Sequence, residues 1–164
     1  YLMTPVFVAG ALLVGGLWMI YAENKYRNNN NISSIEQVSY KQALIIGCFQ
    51  CLSILWPGFS RSASTIIGGW IMGLSSVAAA EFSFFLAIPT MIIATSYSLL
   101  KTNLVLTMNE VIALATGFIV SFVVALVVVA KFIEFLQKRP MRSFAIYRIF
   151  IGLVLITMAF VNIL

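Results

Sequence analysis

Residues 57–65 read Pro-Gly-Phe-Ser-Arg-Ser-Ala-Ser-Thr, a run of hydroxyls around one guanidinium in a chain that is otherwise mostly apolar. Pro57 and Gly58 interrupt a helix, the first by removing a backbone donor, the second by adding backbone freedom. A helix that restarts over Ser60–Thr65 leaves its first four N–H groups without intrahelical partners, at the positive end of its dipole. Such an end is suited to anions. Arg61 adds a permanent charge and a planar fork that matches phosphate oxygens. Arg61 and Thr65 stand at i and i+4, on one helix face, and Ser60, Ser62 and Ser64 supply further hydroxyl donors. The pattern suits recognition of a phosphate-like anion. Against it stands a structural reading, in which Arg61 snorkels to an interface or pairs with a carboxylate such as Glu81. The added hydroxyls and the Pro-Gly break favour the anion site.

The elements that must position this motif are set by composition. Of 164 residues, 62% are apolar and only 9% charged, where a water-soluble domain carries about 25% charged residues. Lipid must therefore be the solvent for most of the surface. Spanning structures in lipid are helices or closed barrels, and the long unbroken apolar runs here exclude the alternating pattern of barrel strands. An all-α integral membrane fold follows. Pro5–Tyr21, Val77–Leu100, Val111–Leu136 and Ser143–Leu164 each read as a crossing of about 20 apolar residues. Glu23–Gln42, with Asn28–Asn31 in a row, reads as an exposed loop. Pro89 is expected to kink the second crossing.

Ala43–Leu74 differs. It is apolar on both sides of Trp56–Ser62, and each half of some 11 to 13 residues is too short for about 30 Å of hydrocarbon. Two half-helices around a break suggest a re-entrant hairpin, which survives at membrane depth only where it is buried or lines a wet cavity, and which often marks a binding site. Charge supports the same topology. With residue 1 outside, a hairpin puts Lys25, Arg27, Lys41, Lys138, Arg139 and Arg142 on the inner side, with Lys131 and Arg148 flanking, and Lys101 alone outside. A full crossing at 43–73 would split the two basic clusters. The net charge of +5 thus reads as orientation and affinity for anionic lipid; dispersed between apolar spans, it argues against nucleic acid. Cys48 and Cys51, at i and i+3 on an apolar helix, are expected to pack rather than to form a redox site. Gln50 is a candidate for a hydrogen bond across the hairpin. The chain has no histidine, which removes the commonest general base and metal ligand.

The segment Tyr40–Leu86, with its GCFQCLSILWPGFSRSASTIIGG and AAEFSFFLAIP runs, resembles the bacterial undecaprenyl-diphosphatase family of the bacitracin-resistance type, and the similarity reaches FAIYR at Phe144–Arg148. The family's PGxSRSxxT signature stands complete as Pro57, Gly58, Ser60, Arg61, Ser62 and Thr65. The resemblance implies a multi-pass protein of the bacterial cytoplasmic (inner) membrane that hydrolyses undecaprenyl diphosphate to the monophosphate carrier of cell-wall precursors. It implies an inverted-repeat fold whose halves each hold a re-entrant hairpin and three spans. Residues 1–41 would then close the first repeat and 42–164 would form the second, with its hairpin at 43–74. It also implies a site in which Gly58, Ser60, Arg61, Ser62 and Thr65 bind the substrate, with Arg61, Ser60 and Thr65 catalytic. The family's other signature, a Glu-x-x-x-Glu with a Ser-Ser-Thr-Gly-His stretch, does not occur among the five acidic residues here. The expectation is a C-terminal part whose nucleophile and acid–base groups lie in a missing N-terminal half, inactive alone. No cofactor is expected in this chain; a divalent cation, if the reaction uses one, would sit on that half's carboxylates. The rival class is a polyprenyl-phosphate or anion transporter, which a helix-end anion site in a broken helix also describes.

Overall fold

The computed structural model describes residues 4–27, 31–102 and 107–161. Within them the chain forms six α-helices: α1 (Pro5–Tyr26), α2 (Tyr40–Leu55), α3 (Arg61–Ile71), α4 (Ser76–Lys101), α5 (Met108–Lys138) and α6 (Arg142–Phe160). A 3-10 turn at Ile35–Gln37 precedes α2. Among the described residues the only β pairing is an isolated bridge between Ile32 and Leu74. Four helices, α1, α4, α5 and α6, are long and apolar enough to cross a membrane, which makes this a multi-pass membrane protein.

The expected crossings are all found, with shifted ends. α1 runs through Tyr26, into residues read as loop, and α2 begins at Tyr40, also inside that loop. The reason for the second is a capping box: Ser39 N–H donates to Gln42 Oε1 at 2.9 Å, and Gln42 N–H to Ser39 Oγ at 3.4 Å. Asn28–Asn30 and Asn162–Leu164 lie outside the described residues. α4 continues through Pro89.

α3 is the centre. Every residue from Ala63 to Trp70 is buried, so the helix is enclosed all round. Its 11 residues give it a length of only about 16 Å. α2 lies antiparallel beside it, with Phe49 against Gly68, where a Cβ would stand 3.0 Å from the Phe49 ring. α4 covers another side, with Gly69 against Ala79, 2.7 Å from an added Cβ. α3 stops at Gly73, whose φ of +85° suits glycine. Gly73 N–H donates to Trp70 O and Leu74 N–H to Gly69 O, the paired bonds of a Schellman cap. The start of α2 and the end of α3 meet at the same segment. Gln42 Nε2 donates to Met72 O at 3.1 Å, and Ile32 N–H donates to Gly73 O at 3.1 Å. The bond that ties the pair is thus made by Gln42 and not by Gln50, whose Oε1 is buried without a partner among the described residues. Cys48 and Cys51 are exposed free thiols on α2, so the expected packing is not made within this chain.

α1 packs along α6 through small residues. A Cβ at Gly16 would lie 3.0 Å from Ala145 O, and one at Gly152 3.1 Å from Ala9 O. At the lower end of this pair Glu23 is 4% exposed. Its Oε1 accepts the Met141 N–H at 2.8 Å and lies 3.7 Å from Arg27 Nη1. A carboxylate thus holds an unpaired amide at the positive end of α6. Glu23→Ala is expected to destabilise the protein by about 1–3 kcal/mol, read as a lower thermal unfolding midpoint in detergent; Glu23→Gln should retain part of the loss.

Candidate functional site

The break between α2 and α3 spans Trp56–Ser60. Gly58 turns it with φ +92°, a conformation that L side chains rarely adopt, and a Cβ there would meet Val8 O at 2.9 Å. Aromatic rings wedge the break against α1. Phe59, 6% exposed, lies 5.7 Å from the Trp18 ring centre, and Trp56 lies 5.7 Å from Phe7. These contacts fix where α3 restarts.

Ser60 is its N-cap. The side chain accepts from Ala63 N–H at 3.3 Å, and the carbonyl accepts from Ser64 N–H at 3.0 Å. The cap therefore occupies the third and fourth amides of α3. The N–H groups of Arg61 and Ser62 have no partner among the described residues, and they remain available at the positive end of the helix.

The motif residues share the start of α3 but not one space. Arg61 lines a groove of about 520 Å³ between α2 and α4, and its Nη1 donates to Thr90 Oγ1 at 3.5 Å. Among the described residues no carboxylate comes within 4.0 Å of it, so the pairing with Glu81 is not made. Ser60 and Ser62 line a second cavity of about 180 Å³, on the α6 side, with Tyr147 and Arg148. Ser64 is fully buried and its Oγ donates to Ser60 O at 3.0 Å. Thr65 is 1% exposed. Its Oγ1 lies 2.7 Å from Ser83 Oγ, with the carbonyls of Arg61 and Ser62 at 3.1 and 3.0 Å. Thr65 ties the first turn of α3 to α4. Thr65→Val is isosteric but strands the Ser83 hydroxyl. It is expected to lower stability by about 1–3 kcal/mol, measured by thermal unfolding in detergent, and Thr65→Ser to restore most of it.

Arg148 was not singled out from the sequence, which placed it among the charges that set orientation. It sits six residues into α6 from Arg142, about 9 Å along the axis. Its Nη2 donates to Gly58 O at 3.3 Å, and its Nε is buried without a partner among the described residues. Gly15 makes room for it: a Cβ there would stand 2.8 Å from Nη2 and 3.2 Å from the Phe59 ring. The signal available in the sequence was an arginine inside an apolar span, where the cost demands a function or a partner. The break thus carries one guanidinium on each side, Arg61 toward α4 and Arg148 toward α6. Among the described residues no group of three or more His, Cys, Asp or Glu side chains could hold a metal ion. What this arrangement can do chemically is bind and stabilise negative charge; it holds no evident acid–base pair.

The chain is also similar to known proteins. The family described as "Bacitracin resistance protein BacA" matches residues 1–154. The chain is 56% identical over 163 residues to an undecaprenyl-diphosphatase 2 of Clostridium acetobutylicum, covering 99% of this chain and 53% of that protein. It is 56% identical over 159 residues to an undecaprenyl-diphosphatase of Clostridium tetani, covering 97% and 58%. It is 57% identical over 164 residues to one of Clostridium novyi, covering 99% and 57%. The chain spans about half the length of the curated relatives it matches.

Proposed function

Because the chain belongs to the bacitracin resistance protein BacA family, we propose that it supplies the phosphate-binding half of an undecaprenyl-diphosphate phosphatase of the bacterial cytoplasmic membrane. The reaction would break the bond between the terminal phosphorus and the bridging oxygen, with water supplying the new oxygen. Its products are undecaprenyl phosphate, the lipid carrier of cell-wall synthesis, and inorganic phosphate. The observation that carries this reading is Arg61. It stands at a helix start beside two unpartnered amides, with no carboxylate near it among the described residues. An uncompensated guanidinium in an apolar chain is costly, and a diphosphate removes the cost.

In this reading α2 and α3 form a re-entrant hairpin, in keeping with the bonds that join Asn31, Ile32 and Gln42 to residues 72–75. The break lies well inside the membrane: Thr90, which meets Arg61, is about 21 Å along α4 from Ser76. The basic loops then lie inside, and the resemblance implies a site that opens toward the outer side. Arg61 and the Arg61 and Ser62 amides bind the terminal phosphate and gain strength as charge builds in the transition state. Ser60 caps the helix, and the Ser62 side chain lines the α6-side cavity. Gly58 lets the break turn, Thr65 fixes the first turn of α3, and Arg148 holds the break from the other side. The nucleophile and the proton-transferring groups come from the part of the relatives' length that this chain does not span, where the resemblance places a glutamate pair, a serine and a histidine.

The test is phosphate release from undecaprenyl diphosphate in detergent, with the 164-residue chain beside a full-length relative. Release by the relative alone is expected. Release by the chain alone would place the nucleophile in this chain, at Ser60 or Ser62, since Ser64 and Thr65 are buried. No release by either, with movement of labelled lipid across vesicles, would replace hydrolysis by transport.

A further inference from the structure

The groove that holds Arg61 has two unlike halves. One end carries the polar side chains Arg61, Thr90, Ser53 and Gln50. The rest is an apolar trough made by Ile54 of α2 and by Met91, Ile93, Ala94 and Tyr97 of α4. Thr90 to Tyr97 covers about 10 Å of helix. A small water-soluble anion would neutralise Arg61 and make no use of the trough. A neutral acyl chain would fill the trough and leave Arg61 unpaired. Both halves are satisfied together by an anionic head joined directly to an apolar chain. We propose that this groove seats the first isoprene units of the polyprenyl diphosphate, with the chain leaving the phosphate site between Ile54 and the α4 face Met91–Tyr97.

The inference rests on the phosphatase reading and adds the path of the lipid tail. Charge decides between this groove and the other large apolar one. The groove beside α1, about 480 Å³ and lined by Phe7, Trp18, Leu52, Trp56 and Phe59 among others, has no charged side chain in its wall. A chain seated there would have no cation within the same groove for its head. In the α2–α4 groove the head and the trough are continuous.

Two measurements on a full-length polypeptide carrying this sequence test the proposal. Ala94→Trp fills the trough one helical turn beyond Thr90, and inhibition by a tailless anion controls for any effect on Arg61. It is expected to raise the KM for undecaprenyl diphosphate about tenfold or more, since several buried methylene-sized groups are displaced. Inhibition by inorganic pyrophosphate, which has a head and no tail, should stay unchanged. An unchanged KM for the lipid overturns the proposal. The second measurement needs no mutation. A polyprenyl diphosphate with a photoreactive group in its first isoprene units should label residues 90–97 and Ile54, read by mass spectrometry. Labelling confined to Phe7, Trp18 and Leu52 overturns the proposal in favour of the aromatic groove. If the unmodified protein releases no phosphate, the phosphatase reading fails instead, and the labelling still reports where the lipid sits.

Discussion

Arg61→Ala, made in a full-length polypeptide that carries this sequence, is expected to lower phosphate release from undecaprenyl diphosphate by about 10²–10³-fold. The size follows from what Arg61 lacks as well as from what it touches. Among the described residues no carboxylate lies within 4.0 Å of it, and its one hydrogen bond, to Thr90, is long at 3.5 Å. The fork is therefore free to take two phosphate oxygens at once, and its charge is unscreened by protein anions. Truncation removes a positive charge from beside the terminal phosphate, where negative charge builds in the transition state. Arg61→Lys separates charge from geometry: an ammonium keeps the charge but loses the planar fork, so its activity should fall between wild type and alanine. Folding is a poor explanation for such a loss. The buried body of α3 runs from Ala63 to Trp70, beyond Arg61, and the unfolding midpoint of Arg61→Ala should stay close to wild type. Near-normal phosphate release by Arg61→Ala would end the assignment.

The position of Arg61 was legible in the sequence because the rules involved are local. Pro57-Gly58 ends one helix, Ser60 caps the next, and Arg61 must follow at its first turn. The four long helices were legible for the same reason, since length and hydropathy decide them. What the sequence did not show depends on partners far along the chain. The last turn of α1, Glu23 to Tyr26, is polar and reads as loop, yet Glu23 is buried because it caps Met141, 118 residues away. Tyr40–Gln42 reads as loop because capping residues look polar in a composition count. The motif reads as one cluster, but successive helical residues point about 100° apart. Which direction meets α4 and which meets α6 is a tertiary fact. Thr65 shares a face with Arg61 in the sequence pattern, yet a helical threonine hydroxyl readily bonds the carbonyl four residues back, and Ser83 of α4 closes over it. Arg148 was hidden by a plausible second use for its charge, the orientation of the span.

Arg148→Met is expected to separate activity from stability in the opposite way to an ordinary core substitution. An arginine inside a spanning helix costs roughly 2.5–3.5 kcal/mol on insertion scales. Here the return, among the described residues, is a single side-chain bond to Gly58 O at 3.3 Å, while the buried Nε has no partner there. Methionine keeps much of the apolar stem, fits irregular space and removes the cost of a partly buried charge. The thermal midpoint in detergent is therefore expected to hold or to rise. Phosphate release should fall by about tenfold or more, because the Gly58 turn sets where the Arg61 and Ser62 amides point, and small misplacement of such donors is expensive. The loss should appear in kcat more than in KM if Arg148 only aims the break, since the head would still bind to Arg61. Arg148→Lys, which can still reach a carbonyl with a charged donor, should recover part of kcat. A variant in which stability and activity fall together would make Arg148 a structural clamp between α6 and the break. One in which neither changes would leave the buried guanidinium without a role, and the bond to Gly58 would be incidental.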